Sequence, residues 1–145
     1  MNTRPQLNRW SIIAALAVAL LLMVLFWLQG PWNSQNAASG LLGKTWHLTA
    51  INGNAAVEGS SATLVFEQNR VSGNASVNSY GGSYKVNGNT LTFSELISTM
   101  MASADPALNQ QEQTFLSILQ GQLTYTLTGK QLELRSPQGT LTFRS

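Results

Sequence analysis

The sequence predicts a mainly β (α+β) domain, an antiparallel sheet that is curled or barrel-like with one packed helix, preceded by one N-terminal transmembrane helix. Three observations predict it. Short segments from Trp46 to Phe143 alternate apolar with polar residues and are punctuated by turns too short for parallel crossovers. One segment, Pro106 to Gln120, carries helical spacing and both cap signals. One run, Ser11 to Leu28, is apolar or small throughout and carries no charge.

The 145 residues allow one compact domain and an appendage. At about 1.5 Å per residue, the Ser11–Leu28 run crosses most of a ~30 Å hydrocarbon core as a helix. Trp10 stands at one end of it, Trp27 and Trp32 at the other, as interfacial anchors. Arg4 and Arg9 precede the run and no base follows until Lys44, so the positive-inside rule keeps residues 1–10 in the cytoplasm and exports the rest. A cleaved signal is the alternative, with Ala37-Ala38-Ser39 as its processing site. That site lies well beyond the apolar run, and the length of the run favours an uncleaved anchor over 11–28. Residues 29–40, polar and small with Gly30-Pro31 near the start, read as a flexible linker, and 41–145 as the folded domain.

Within the domain, Trp46, Leu48 and Ala50 alternate with Thr45, His47 and Thr49 before an Asn52-Gly53 turn. Leu64 and Phe66 repeat the pattern. The stretch from Ser72 to Phe93 reads as a tight loop running into a hairpin, with Tyr84, Val86, Leu91 and Phe93 alternating around Asn87-Gly88-Asn89. A short helical turn is expected around Glu95–Met101. In the main helix Asp105 and Pro106 supply N-cap and first position, Gly121 follows the end, Leu108, Phe115, Ile118 and Leu119 form the apolar stripe, and Gln110 to Gln113 falls on the exposed side. Strands over about 122–128, 131–136 and 140–144 close the chain as a meander, split by Thr128-Gly129-Lys130 and Pro137-Gln138-Gly139.

Charge excludes a nucleic-acid partner. From Leu41 onward Lys44, Arg70, Lys85, Lys130, Arg135 and Arg144 balance Glu58, Glu67, Glu95, Asp105, Glu112 and Glu133, so the net +2 is that of Arg4 and Arg9. Catalytic groups are scarce. Cysteine is absent, Asp105 is the only aspartate, and the only histidine, His47, points by period two away from the core. No catalytic residue, metal site or cofactor is therefore expected, and Gly81-Gly82 reads as turn geometry. The densest chemistry lies at Asn78, Tyr80, Gly82 and Tyr84, where two phenol rings and an amide offer stacking and hydrogen bonds. The other reading makes the tyrosines core aromatics and Asn78 a local turn residue. Met100-Met101 reads as core filler.

Leu42-Gly43-Lys44-Thr45-Trp46-His47-Leu48, Asn78-x-Tyr80-x-Gly82-x-Tyr84, Thr99-Met100-Met101-Ala102 and Glu112-x-x-Phe115-x-x-x-Leu119 together resemble, in order, the META domain family, which includes the heat-shock-inducible protein HslJ. The resemblance spans about Leu41 to Ser145. It implies a small, mainly antiparallel β domain with a helix, usually exported and often membrane- or lipid-anchored in bacteria, tied loosely to stress response and, for HslJ, to novobiocin resistance, and without an established enzymatic activity. It adds Thr99 and Met101 to Asn78, Tyr80, Gly82 and Tyr84 as candidate ligand-binding positions. Val77 and Ser103 stand where the family commonly has cysteines, so a thiol role is not carried over.

The combined expectation is a single-pass protein of the bacterial inner membrane. Its periplasmic META-like domain acts as a non-enzymatic binding or structural module in envelope stress or drug tolerance. Its partners are the membrane, through residues 11–28, and an envelope protein of unknown identity. The alternatives are an enzyme of unrecognised type with a pocket around Asn78–Tyr84, and a secreted form of the same domain.

Overall fold

The computed structural model describes residues 39–145. The expected span over 11–28 and all but the last two residues of the expected linker lie outside the described residues. Among the described residues no helix is long and apolar enough to cross a membrane.

The strands run β1 (Thr45–Ile51), β2 (Asn54–Ala55), β3 (Thr63–Glu67), β4 (Arg70–Asn74), β5 (Ser79–Asn87) and β6 (Thr90–Ser98). Helix α1 (Pro106–Leu119) follows, then β7 (Gly121–Thr128), β8 (Gln131–Ser136) and β9 (Gly139–Arg144). All pairings between them are antiparallel, and β1 pairs both β3 and β9, so eight strands close into a barrel with β2 as a short hairpin appendage on β1. The choice between a curled sheet and a barrel is thus decided by the β1–β9 ladder, which sequence alternation cannot reveal.

One face of every long strand fills the interior. Trp46, Leu64, Phe66, Val71, Tyr80, Tyr84, Leu91, Phe93, Leu123, Leu132, Leu134, Leu141 and Phe143 are all buried. Edge-to-face and stacked rings link Tyr84 and Phe93 through Phe66, and Tyr80 to Phe143 through Phe115. Such pairs each add ~0.5–1.5 kcal/mol beyond burial. Helix α1 seals one end of the barrel with Phe115, Ile118 and Leu119. At the other end Leu41 is buried and its carbonyl accepts from Trp46 Nε1 at 3.2 Å. The helix starts as its sequence dictates: Asp105 is the N-cap, its Oδ1 accepting from Ala107 N at 2.8 Å, and Pro106 takes the first position.

Four expectations are corrected. Ser72–Asn74 belongs to β4, not to a loop, and Arg70–Asn74 was hidden because Val71 is its only apolar residue. The helical turn expected over Glu95–Met101 is absent: β6 runs to Ser98 and passes through a bulge, with Glu95 at φ 56°. Gln111 is buried, not exposed. Met100 and Met101 are surface residues, not core filler. A smaller difference occurs in β1, where the register with β9 shifts between Leu48 and Ala50, so that Ile51 packs against the core in place of Ala50.

Candidate functional site

Three of the expected binding residues, Asn78, Thr99 and Met101, gather where β4 turns into β5, β6 leaves the barrel and α1 crosses its end. The turn residues Ala75 to Asn78 are closed by a 2.7 Å bond from Ala75 N to Asn78 O, and Ser76 sits at φ 107°, a conformation costly for any side chain. Glu112 holds that turn from the helix. Its Oε2 accepts from the backbone N–H groups of Val77 at 2.9 Å and Asn78 at 2.6 Å, and its Oε1 accepts from Asn78 Nδ2. Asn78 Nδ2 donates also to Met101 O at 2.9 Å, while its Oδ1 accepts from Thr99 Oγ1 and Met101 N, each at 2.7 Å. A primary amide has two donor hydrogens and two acceptor lone pairs, and Asn78 uses all four.

Gln111 extends the same network. Its Oε1 accepts from Val57 N at 2.6 Å, and its Nε2 donates to Ser60 Oγ at 2.6 Å and Ser76 Oγ at 2.7 Å. Through two adjacent polar side chains the helix therefore ties together two separate connections of the barrel, β2–β3 and β4–β5, and Asn78 passes the link on to Thr99 and Met101.

Tyr80 and Tyr84 turn inward. Their hydroxyls donate to Thr63 O and Glu67 O, both at 2.9 Å. Burial pushes the Tyr80 phenol far above its usual range and raises that of Tyr84 as well. Both are neutral hydrogen-bond donors at neutral pH, and their rings are committed to the core. Gly82 also faces inward, opposite the two bulge residues Glu95 and Leu96. A Cβ there would lie 2.8 Å from Ser94 O and 2.9 Å from Leu96 Cδ2, which is why the position needs glycine.

Beside the bulge the surface of β5 and β6 holds a groove. This groove of about 580 Å³ is walled by Arg70, Ser79, Ser83, Glu95 and Ile97, with Gly81 leaving its floor bare. Ile97 is 76 % exposed, and just beyond β6 Met100 is 97 % and Met101 63 % exposed. The structure thus brings Asn78, Thr99 and Met101 into one network. Tyr80 and Gly82 lie along the groove with their side-chain positions on the interior side, and Tyr84 is buried in the core without lining it. Sequence reasoning missed Gln111, Arg70, Glu95 and Ile97, and met Glu112 only as a motif position without a site role. For Gln111 a signal existed: it stands four residues before Phe115 and seven before Ile118, on the stripe that packs the helix. His47 is exposed on β1, and no group of three His, Cys, Asp or Glu side chains able to hold a metal is found among the described residues.

The META domain family model matches residues 39–145. The chain belongs to the META domain family. Two solved structures resemble this META domain. One NMR structure is 27 % identical with a TM-score of 0.64, covering 73 % of this chain and 92 % of its own. A second, of a protein from Burkholderia xenovorans, is 28 % identical with a TM-score of 0.61, covering 75 % of this chain and 86 % of its own. No curated protein matches this META domain by sequence.

Proposed function

We propose that this META domain is a non-enzymatic binding module, carried outside the cytoplasm by a membrane anchor over residues 11–28, that acts in envelope stress or drug tolerance. The observation that carries the binding role is the way the domain displays Met100 and Met101. A buried amide, Asn78, clamps the backbone of Met101 on both its N–H and its C=O, and is itself fixed by a carboxylate from the helix. A buried polar network of this kind is stabilising only when every member is satisfied. Here it holds exposed apolar side chains beside a groove, which water alone would not favour. The anchor and its direction rest on the uncharged run Ser11–Leu28 and on Arg4 and Arg9 preceding it.

The test of the binding role is a full-length variant carrying Ile97→Asp and Met100→Asp. Its thermal midpoint should match that of the parent, because both side chains are exposed, while it should fail to restore tolerance in a strain lacking the gene and challenged with envelope stress or novobiocin. Full restoration would overturn the binding reading. For the anchor, alkaline phosphatase fused after Ser145 should be active in cells; a stable but inactive fusion would overturn export.

A further inference from the structure

At the same end of the barrel β6 has an edge that no other strand covers, bordered across a small hollow of about 80 Å³ by Leu116 and Gln120 of α1. Along its whole length from Thr90 to Ser98, β6 pairs with β5, whereas β7 pairs it only from Thr90 to Phe93, since β7 begins at Gly121 opposite Phe93. Past Phe93 the side of β6 away from β5 has no strand against it. Thr99 N donates to Ser79 O at 3.0 Å, and both backbone groups of Met101 are taken by the Asn78 side chain, which acts as one more residue of β5. Backbone groups of successive residues in an extended chain point to opposite sides. The N–H and C=O of Ser98 and Met100 therefore face the open side, and among the described residues no hydrogen bond is made to them.

The chemistry around this edge is selective. No charge occurs from Leu96 to Ala104, three of the most exposed apolar side chains are Ile97, Met100 and Met101, and Glu95 at the near end makes no ion pair among the described residues. We propose that the partner is an extended polypeptide segment that adds as a strand to the open edge at Ser98 and Met100, lays apolar side chains on Ile97 and the methionines, and sets a basic residue against Glu95. Main-chain hydrogen bonds supply the recognition in such pairings and side-chain contacts the selectivity. The bulge at Glu95 keeps the open run short, which suits one peptide and opposes propagation of a sheet. This inference rests on the binding reading above and names the class of partner.

The probe is a fluorescent heptapeptide, Lys-Val-Thr-Val-Thr-Val-Lys, titrated by anisotropy with the full chain in detergent micelles. Binding should saturate. Methylating alternate backbone nitrogens of the peptide removes donors without removing side chains, and should weaken binding by about tenfold or more. Ser98→Pro removes the outward N–H at a position where the inward ladder does not need it, and should weaken binding to a similar extent with the thermal midpoint unchanged. Met100→Lys should weaken it too, which keeps the test decisive if the proline variant fails to fold. Absence of saturable binding, or equal binding by the methylated peptide, would overturn strand addition. If the Ile97→Asp, Met100→Asp chain nevertheless fails to restore tolerance, the binding reading survives that result and only the partner class is lost. A concentration-dependent dimer that the heptapeptide dissociates would overturn the proposal in favour of a second copy on the edge.

Discussion

Asn78 is 3 % exposed and completes four side-chain hydrogen bonds, so its contribution is set by what its removal would strand. Asn78→Ala leaves Met101 O and one Glu112 oxygen without a donor, and Thr99 Oγ1 and Met101 N without an acceptor. Losses of this kind cost ~1–3 kcal/mol for a buried group and more where a charge is involved, so a fall of about 2–4 kcal/mol in unfolding free energy is expected from urea denaturation. Glu112→Ala should overlap with it. A double-mutant cycle should give a coupling of roughly 0.5–3 kcal/mol, because each single change already disables the shared bond; additive losses would mean that the network is not one unit. Gly73 gives a second residue-scale test. A Cβ there would lie 2.1 Å from Thr63 O, a backbone atom of the neighbouring strand that also accepts from Tyr80. Gly73→Ala should therefore lower stability by about 1–3 kcal/mol, although alanine is ordinarily neutral in an extended strand.

At the scale of elements, the ends of α1 and the bulge of β6 make opposite predictions. Asp105→Ala removes the one side-chain cap on the helix start and should cost ~1 kcal/mol, read as a lower urea midpoint with an unchanged slope. Glu95→Gly should raise the unfolding free energy by about 0.5–1 kcal/mol, seen as a higher urea midpoint, since φ 56° costs a side-chain-bearing residue ~1–2 kcal/mol and glycine's greater chain entropy offsets only part of that. The same elements explain what the sequence made legible. Asp105-Pro106 and Gly121 bracket α1 because caps are local chemistry, and the final three strands alternate strictly, so both could be read directly. Strand β4 could not, because its polar and glycine residues answer to close backbone packing and not to burial of side chains. The bulge was mistaken for a helical turn because a one-residue insertion breaks period two and leaves Leu96, Ile97, Met100 and Met101 at spacings a helix would also produce. The candidate site was half legible: Asn78, Thr99 and Met101 do converge, but their link to Glu112 spans thirty-odd positions of sequence and exists only once the helix crosses the barrel end.

For the whole molecule, closure of β1 on β9 joins the two ends of the described domain, so no strand of the barrel can leave without opening the ladder on both of its sides. The barrel should accordingly unfold as one unit, and its tyrosines provide the probe. Burial raises the phenol of Tyr80 far above the ordinary value of 10.0 and shifts Tyr84 and Tyr125 in the same direction. In the unfolded chain each phenol ionises near 10. The stabilisation from keeping Tyr80 protonated is thus fully present below pH ~10, and it is lost as pH rises further, because the unfolded chain sheds a proton that the folded one keeps. The slope from the Tyr80 phenol is about 1.4 kcal/mol per pH unit while it stays protonated in the barrel. The urea midpoint should therefore be insensitive to these groups up to about pH 9–10 and fall beyond it, with phenolate absorbance appearing together with the loss of far-ultraviolet circular dichroism. Ionisation of Tyr80 near pH 10 with the circular dichroism intact would show that its phenol is not sealed in the core, and with it that the ring network from Tyr80 through Phe115 to Phe143 does not join helix and barrel into one cooperative body.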